Sequence, residues 1–259
     1  MNWSLYIDGM LVIVILASLT WVLSVFLKDV SIVDSAWSLM FLAAGVFYYQ
    51  SIITPDLKTN IFYGLLIIWA LRLAIHLTWR NWGEDEDRRY RDIREKYSPN
   101  FAFKSLFIIF IFQAVLASIV SLPVVAVMDG QNDSANIGYI EYIAIAVWTI
   151  GFLYESIADW QLAKFKSDES NSGKVMDTGL WKNTRHPNYF GEFLIWWGFY
   201  LYAFSSGPWW IIVSPLFMSW LLLKFSGVVM LEETIVKRRP KYQAYIDKTN
   251  AFFPGSVKS

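Results

Sequence analysis

The run Arg185-His186-Pro187-Asn188-Tyr189-Phe190-Gly191-Glu192 gathers a cation, an imidazole, an amide, a phenol and a carboxylate where a polar loop turns into an apolar segment. Pro187 suits the first turn of a helix, where its missing N–H costs nothing. Asn188 and Glu192 are four apart and share one helical face, which Trp196 continues. A helix start offers free N–H groups and partial positive charge, the chemistry that receives a phosphate or a carboxylate, and Arg185 and His186 add donors at the same end. The plainer reading is a capped helix with an aromatic anchor. Against it stands Glu192, because a carboxylate inside an apolar run is costly without a partner or a task.

Other ionisable residues punctuate apolar stretches in the same way. Asp34 precedes a long apolar run; Arg72, His76 and Arg80 recur every fourth residue; Glu155 and Asp159 are four apart, with Lys166 on their face if the helix continues; Lys224 lies late in the last apolar stretch. Each has a bland reading beside a functional one. Arg72, Arg80 and Lys224 can snorkel to headgroups, His76 can pack in a core, Asp34 can pair structurally with Arg72, and Glu155 and Asp159 can be ordinary helix-end charges. The segment 80–105 mixes charges in the pattern of a solvated helix, yet its Arg88, Arg89, Arg91 and Arg94 also supply phosphate donors.

The elements that must position these groups are membrane helices. Over half of the 259 residues are hydrophobic and 14 are Trp, a composition of membrane proteins. Seven apolar segments reach or approach spanning length: 9–27, 31–53, 61–79, 106–128, 137–157, 190–205 and 208–229. With the N-terminus outside, 19 of the 22 Lys and Arg fall in inner segments and Lys58 alone in an outer one, as the positive-inside rule requires. The expected architecture is an all-α membrane protein: one bundle of seven transmembrane helices over residues 1–259, N-terminus outside, C-terminus cytoplasmic. Nearly every ionisable group in the spans then falls in the inner half of the membrane, as in one polar cavity open to the cytoplasm rather than a path across.

Several classes drop out. Zero net charge gives no nucleic-acid partner a foothold. Without cysteine there is no disulfide, thiolate metal site or cysteine nucleophile, and two histidines do not make a histidine-rich metal site. No strand-associated GxGxxG and no Walker loop occurs, so a nucleotide would be held by helix ends and loops. The polar loop 167–178 has the makings of a lid, and residues 237–245 those of a basic, aromatic interfacial helix.

Taken in order, Asp34, Leu71-Arg72-Leu73, His76, Arg80-Asn81-Trp82-Gly83, Glu155, Asp159, the 185–192 run, Tyr242-Gln243-Ala244-Tyr245 and Phe253-Pro254 resemble the steroid 5-alpha-reductase family, in its bacterial-type membrane branch. The resemblance covers most of the chain and is strongest from Glu155 to Pro254. It implies seven transmembrane helices, NADPH as cofactor and reduction of the carbon–carbon double bond of a 3-oxo-4-ene steroid, with the cofactor half at approximately 150–259. It places Asn188, Tyr189, Gly191 and Glu192 at the cofactor with Glu155 and Asp159, and gives basic roles to Lys166 and Lys224, where the family has arginine. The vertebrate enzymes set a Glu and a Tyr around the steroid ketone; the positions here are Asp34 and Trp69, and an indole supplies no acidic proton. The 185–192 run with the later Tyr and Phe-Pro elements is equally similar to membrane methyltransferases of the isoprenylcysteine and phospholipid type, which bind S-adenosylmethionine. A non-catalytic lipid-binding membrane protein is the third class.

On the reductase reading, Asp34 in apolar surroundings holds a proton for the ketone. Arg72, His76, Arg80, Arg88, Lys166, Arg185, His186 and Lys224 line the cofactor's side, and a hydrophobic steroid or enone lipid enters from the bilayer. The expected setting is multi-pass: a bacterial inner membrane in a prokaryote, the endoplasmic reticulum in a eukaryote.

Overall fold

The computed structural model describes residues 1–129, 137–225, 228, 232, 235–236 and 242–256. Among them every regular element is helical. Five helices are long and apolar enough to cross a membrane: α1 (Trp3–Leu27), α2 (Ile32–Gln50), α3 (Leu57–Asn81), α5 (Phe101–Val120) and α7 (Tyr139–Ser167). Shorter are α4 (Arg88–Lys96) and α6 (Leu122–Met128), and past α7 come α8 (Pro187–Ala203), α9 (Trp209–Phe225) and α10 (Tyr242–Lys248). Each of the seven apolar segments of the sequence thus contains helix, five of the helices are long enough to span, and the protein is a multi-pass membrane protein. Large side chains such as Leu19, Phe26 and Ile75 are left more than half exposed on these helices, which only a lipid solvent makes inexpensive.

Caps mark where helices leave the apolar slab. The Asn2 side chain accepts from Leu5 N at 3.1 Å, Asp56 from Thr59 N at 2.7 Å and Glu141 from Gly138 N at 2.8 Å, satisfying donors that the first turn leaves open. The last of these accounts for Glu141 near the start of its span. α1 ends at Lys28 in the left-handed region (φ 58°), which turns the chain back into α2. In the fourth apolar segment Ser121 and Pro123 interrupt the helix and start α6.

The chain divides into two compact units, Met1–Ile137 with Ala203–Ile211, and Gly138–Tyr202 with Ile212–Ser259. In the first, the terminal amine lies 3.6 Å from the Asp129 carboxylate, so the start of α1 and the residue after α6 share one end. Val30, between α1 and α2, is hydrogen-bonded to Glu86, just before α4, at the other end. Met40, Phe41, Phe62, Leu66 and Trp69 fill the interior between α2 and α3. In the second unit α7 and α8 meet backbone to backbone. A Cβ on Gly151 would lie 2.7 Å from the Gly191 carbonyl oxygen, and one on Gly191 would lie 2.5 Å from Glu155 N. That approach is open to glycine only.

Candidate functional site

In the first unit the site is built around Asp34, in the first turn of α2. Its Oδ2 receives Arg89 Nη2 at 2.9 Å, and its Oδ1 receives the Tyr90 hydroxyl at 2.6 Å. Gln113 Nε2 donates to the same hydroxyl at 3.3 Å. Arg89 also reaches Asp87 Oδ1 through Nε at 3.1 Å. Arg89 and Tyr90 come from α4, the charged segment that reads as solvated. Asp87 caps that helix by accepting from Arg89 N at 2.9 Å, and Tyr90 turns inward to become buried. Burial first, then the Asp34 carboxylate, push the Tyr90 phenol well above its ordinary value, so it keeps its proton at neutral pH. For Arg89, burial works to lower the guanidinium, but Asp34, Asp87 and Tyr90 together raise it above its ordinary value.

A second pair holds α4 in place. Glu86 accepts from Val30 N at 2.9 Å and from Arg94 Nε and Nη2 at 2.8 and 2.6 Å. Arg94 also donates to the Lys28 carbonyl at 3.2 Å and lies 4.5 Å above the Phe101 ring. Burial works to raise the Glu86 carboxyl, but these hydrogen bonds hold it below its usual range.

The surroundings of Asp34 therefore differ from the apolar ones expected: a guanidinium and a phenol face it. Its ion pair forms with Arg89 and not with Arg72, because α4 folds back over the start of α2. Of the other expected residues in this unit, Trp69 is fully buried with its ring edge-on to Phe41 at 5.6 Å. Arg72 and His76 are half-buried on α3, His76 lying 6.3 Å from the Trp79 ring. Arg80 is exposed and donates to Asn81 at 3.1 Å. Arg88 is exposed as well.

In the second unit the Gly151–Gly191 contact brings the polar faces of α7 and α8 together. Glu155, Asp159 and Glu192 are buried there. Asn188 Nδ2 donates to Asp159 Oδ1 at 3.1 Å, and Trp196 Nε1 to Glu192 Oε1 at 2.9 Å. Tyr189 stacks on the His186 ring at 5.6 Å. Lys166 and Lys224 are exposed.

Arg185 and His186 belong to a different structure, a latch that fastens the 180–186 loop. Arg185 makes a two-pronged bond to Glu232, Nε to Oε1 at 2.7 Å and Nη2 to Oε2 at 2.8 Å, and His186 Nε2 shares Oε1 at 2.9 Å. Arg185 Nη1 donates to the carbonyls of Ile246, at 3.1 Å, and Thr249. Thr184 donates to the Phe252 carbonyl at 2.8 Å, and the Tyr245 hydroxyl to the Trp181 carbonyl. On its other side the loop is tied to α7 by Trp181 Nε1 on the Ala158 carbonyl at 3.1 Å. Burial works to raise the Glu232 carboxyl, yet the hydrogen bonds from His186 and Arg185 hold it at about 2. Arg185, expected at a cofactor phosphate, instead spends its donors on Glu232 and the tail.

Two groups of these clusters escape a reading by segment. Tyr90 stands in a run of charges, and its signal is the spacing of Tyr90, Ile93 and Tyr97, an apolar stripe on a charged helix. Glu232 pairs 47 residues away from Arg185, and no local pattern announces it. The basic residues expected at 237–239 and 241 lie outside the described residues.

No solved structure matches the chain. An uncharacterized protein of Schizosaccharomyces pombe is 27% identical to it, over 98% of this chain and 80% of that one. A family described as protein of unknown function DUF1295 matches residues 20–249, a stretch that includes Asp34, Tyr90, the α7–α8 carboxylates and Glu232. That family is related to steroid 5-alpha-reductase-like membrane proteins. With so much of its length matched, the chain belongs to the DUF1295 family.

Proposed function

We propose that this protein is an NADPH-dependent membrane reductase that saturates the double bond of an enone lipid, with the C4=C5 bond of a 3-oxo-4-ene steroid as the reference substrate. The carrying observation is the Asp34–Tyr90 pair: a buried phenol, proton in place, hydrogen-bonded to a carboxylate that an arginine anchors. The resemblance asks for a carboxylic side chain and a tyrosine at the ketone. Trp69 does not supply the phenol, and Tyr90 does.

The residues of the second unit fit a dinucleotide. Asn188, Asp159, Glu155 and Glu192 are the amide and carboxylate acceptors that ribose hydroxyls and a carboxamide need, the three carboxylates buried where water competes little and Asn188 half-buried beside them. When bound, NADPH supplies the hydride. Reduction of an enone places negative charge on the ketone oxygen. Tyr90 stabilises it by turning its hydroxyl from Asp34 to that oxygen and giving up its proton there; ketonisation then delivers a proton to the α-carbon, and solvent restores the phenol. Asp34, held by Arg89, orients the phenol and receives the hydrogen bond back once the product has left. The apolar flanks of the helices suit a substrate arriving from the bilayer. Seven passes, with the N-terminus outside and the C-terminus cytoplasmic, agree with the charge distribution; α8 and α9 would then be the sixth and seventh. This orientation puts the cofactor residues on the cytoplasmic side, in a bacterial inner membrane or in the endoplasmic reticulum of a eukaryote.

The test is cofactor binding by the purified full chain in detergent. NADPH is expected to raise the thermal midpoint and S-adenosylmethionine to leave it unchanged, followed by turnover of a 3-oxo-4-ene steroid. The reverse binding pattern would replace this reading by a membrane methyltransferase. Silence toward both would leave a lipid-binding role.

A further inference from the structure

The latch has a second consequence at its outer edge. Lys174 from the 172–178 loop, Lys182 at the end of the Gly179–Lys182 turn and Lys248 in the last turn of α10 line one cleft of about 400 Å³, together with Asp177, Tyr245 and Thr249. That volume falls in the range of small-ligand sites. Lys182 and Lys248 bring two ammonium groups beside the one lining carboxylate, Asp177, and Lys174, which also acts on Asp168, adds a third at the edge. Among the described residues neither Lys182 nor Lys248 enters an ion pair. The walls are fixed independently of any occupant: the Tyr245 hydroxyl is bonded to the Trp181 carbonyl, and the Thr249 carbonyl to Arg185. Such a rigid frame carries flexible cations at its rim, as a phosphate site requires, each lysine serving as a point charge. None of the side chains assigned to the cofactor lines this cleft.

We propose that the Lys174–Lys182–Lys248 cleft binds a phosphate group, carried either by an anionic phospholipid headgroup at the membrane surface or by a soluble phosphate compound. The site is separate from the reductase reading and stands if that reading falls. The full chain in neutral detergent is titrated with pyrophosphate and, in parallel, with dioctanoyl phosphatidic acid, against sodium chloride at matched ionic strength. The thermal midpoint is the readout. Wild-type protein is expected to gain several degrees with at least one of the two. In Lys182→Gln/Lys248→Gln, whose changed side chains are exposed and tolerated by the fold, tenfold more ligand is needed for the same gain. Asp177→Asn strengthens the response. A response confined to phosphatidic acid assigns the site to a headgroup; one to pyrophosphate at equal concentration assigns it to a soluble phosphate. Silence toward both, or a double variant that responds as wild type does, overturns the proposal.

Discussion

Each unit uses an arginine–carboxylate pair to pin a segment lying outside the apolar spans, and the two pairs are built differently. In the first unit Arg94 meets Glu86 eight residues away in the chain, with the glutamate side chain 9% exposed but 36% of the arginine's open to solvent. In the second Arg185 meets Glu232 across 47 residues, with only 7% and 16% of the two side chains exposed. A pair with an exposed arginine gains less, because water screens that charge. A buried pair is a different object: its members cannot be separated without leaving a charge stranded in low dielectric. The first unit therefore holds its catalytic candidate, Tyr90, on a helix whose Arg94–Glu86 tie can be loosened at small expense while Arg89 and Tyr90 still hold Asp34. The second fastens its loop by a pair that resists opening.

The largest effect that separates the two is expected from Glu232→Gln. It strands the Arg185 guanidinium and should cost roughly 3–5 kcal/mol, a thermal midpoint lower by about 10 °C; a loss no greater than that of Glu86→Gln would erase the contrast. Next comes Tyr90→Phe, which keeps the ring and removes the hydroxyl. Reductase turnover should fall by about 100-fold or more, with NADPH affinity unchanged, and Asp34→Asn should follow it in the same direction; equal loss of turnover and cofactor binding would remove these residues from the ketone. Asn188→Ala is expected to act on the other side of the comparison. It should weaken NADPH binding by about tenfold and leave the thermal midpoint of the ligand-free protein nearly unchanged, as calorimetry and melting would show. The smallest effect is that of Glu86→Gln, within about 1 kcal/mol of wild type, seen in reductase activity as a modest rise in KM.

Acidity sharpens the same contrast. The Glu232 carboxyl sits at about 2 against an ordinary 4.5. A carboxyl depressed by folding stabilises the folded state above its unfolded value, and the gain drains away as the pH falls through the folded value. The latch should thus be intact above about pH 4.5 and weaken progressively toward pH 2. In Glu232→Gln the thermal midpoint should change less over that interval than in wild type.

The helical, membrane-spanning character was legible because it rests on local properties. Apolar runs of spanning length, Pro187 at a helix start and the four-residue spacings of Glu155–Asp159 and Asn188–Glu192 all act within one or two turns. The structure also brings Asp159 and Asn188 together, a pairing that spacing within either helix does not state. What stayed hidden depends on segments meeting at a distance. Nothing near Asp34 says that Arg89 and Tyr90 will fold back onto it. A charged helix reads as solvated unless the stripe of Tyr90, Ile93 and Tyr97 is weighed above its charges. Arg185 offers a phosphate-binding signature in sequence that is indistinguishable from that of an arginine destined for Glu232. The glycines of the 7–8 helix contact are visible as residues, but only the meeting of two backbones shows why Gly151 and Gly191 must be glycine.

The latch also sets an order of events at the ribosome. A chain emerges from its N-terminal side, and the first unit's clamp, from Val30 to Arg94, has all its parts once the early helices are made. The loop at 180–186 must wait. Arg185 emerges before Glu232, Ile246 and Thr249, and Thr184 before Phe252. Until those later residues are synthesised, a guanidinium destined for burial remains without its carboxylate. The stretch from Glu232 to Phe252 is what completes this end of the second unit, so a ribosome that stalls before it leaves a nascent protein whose loop is still open to proteases and quality-control factors.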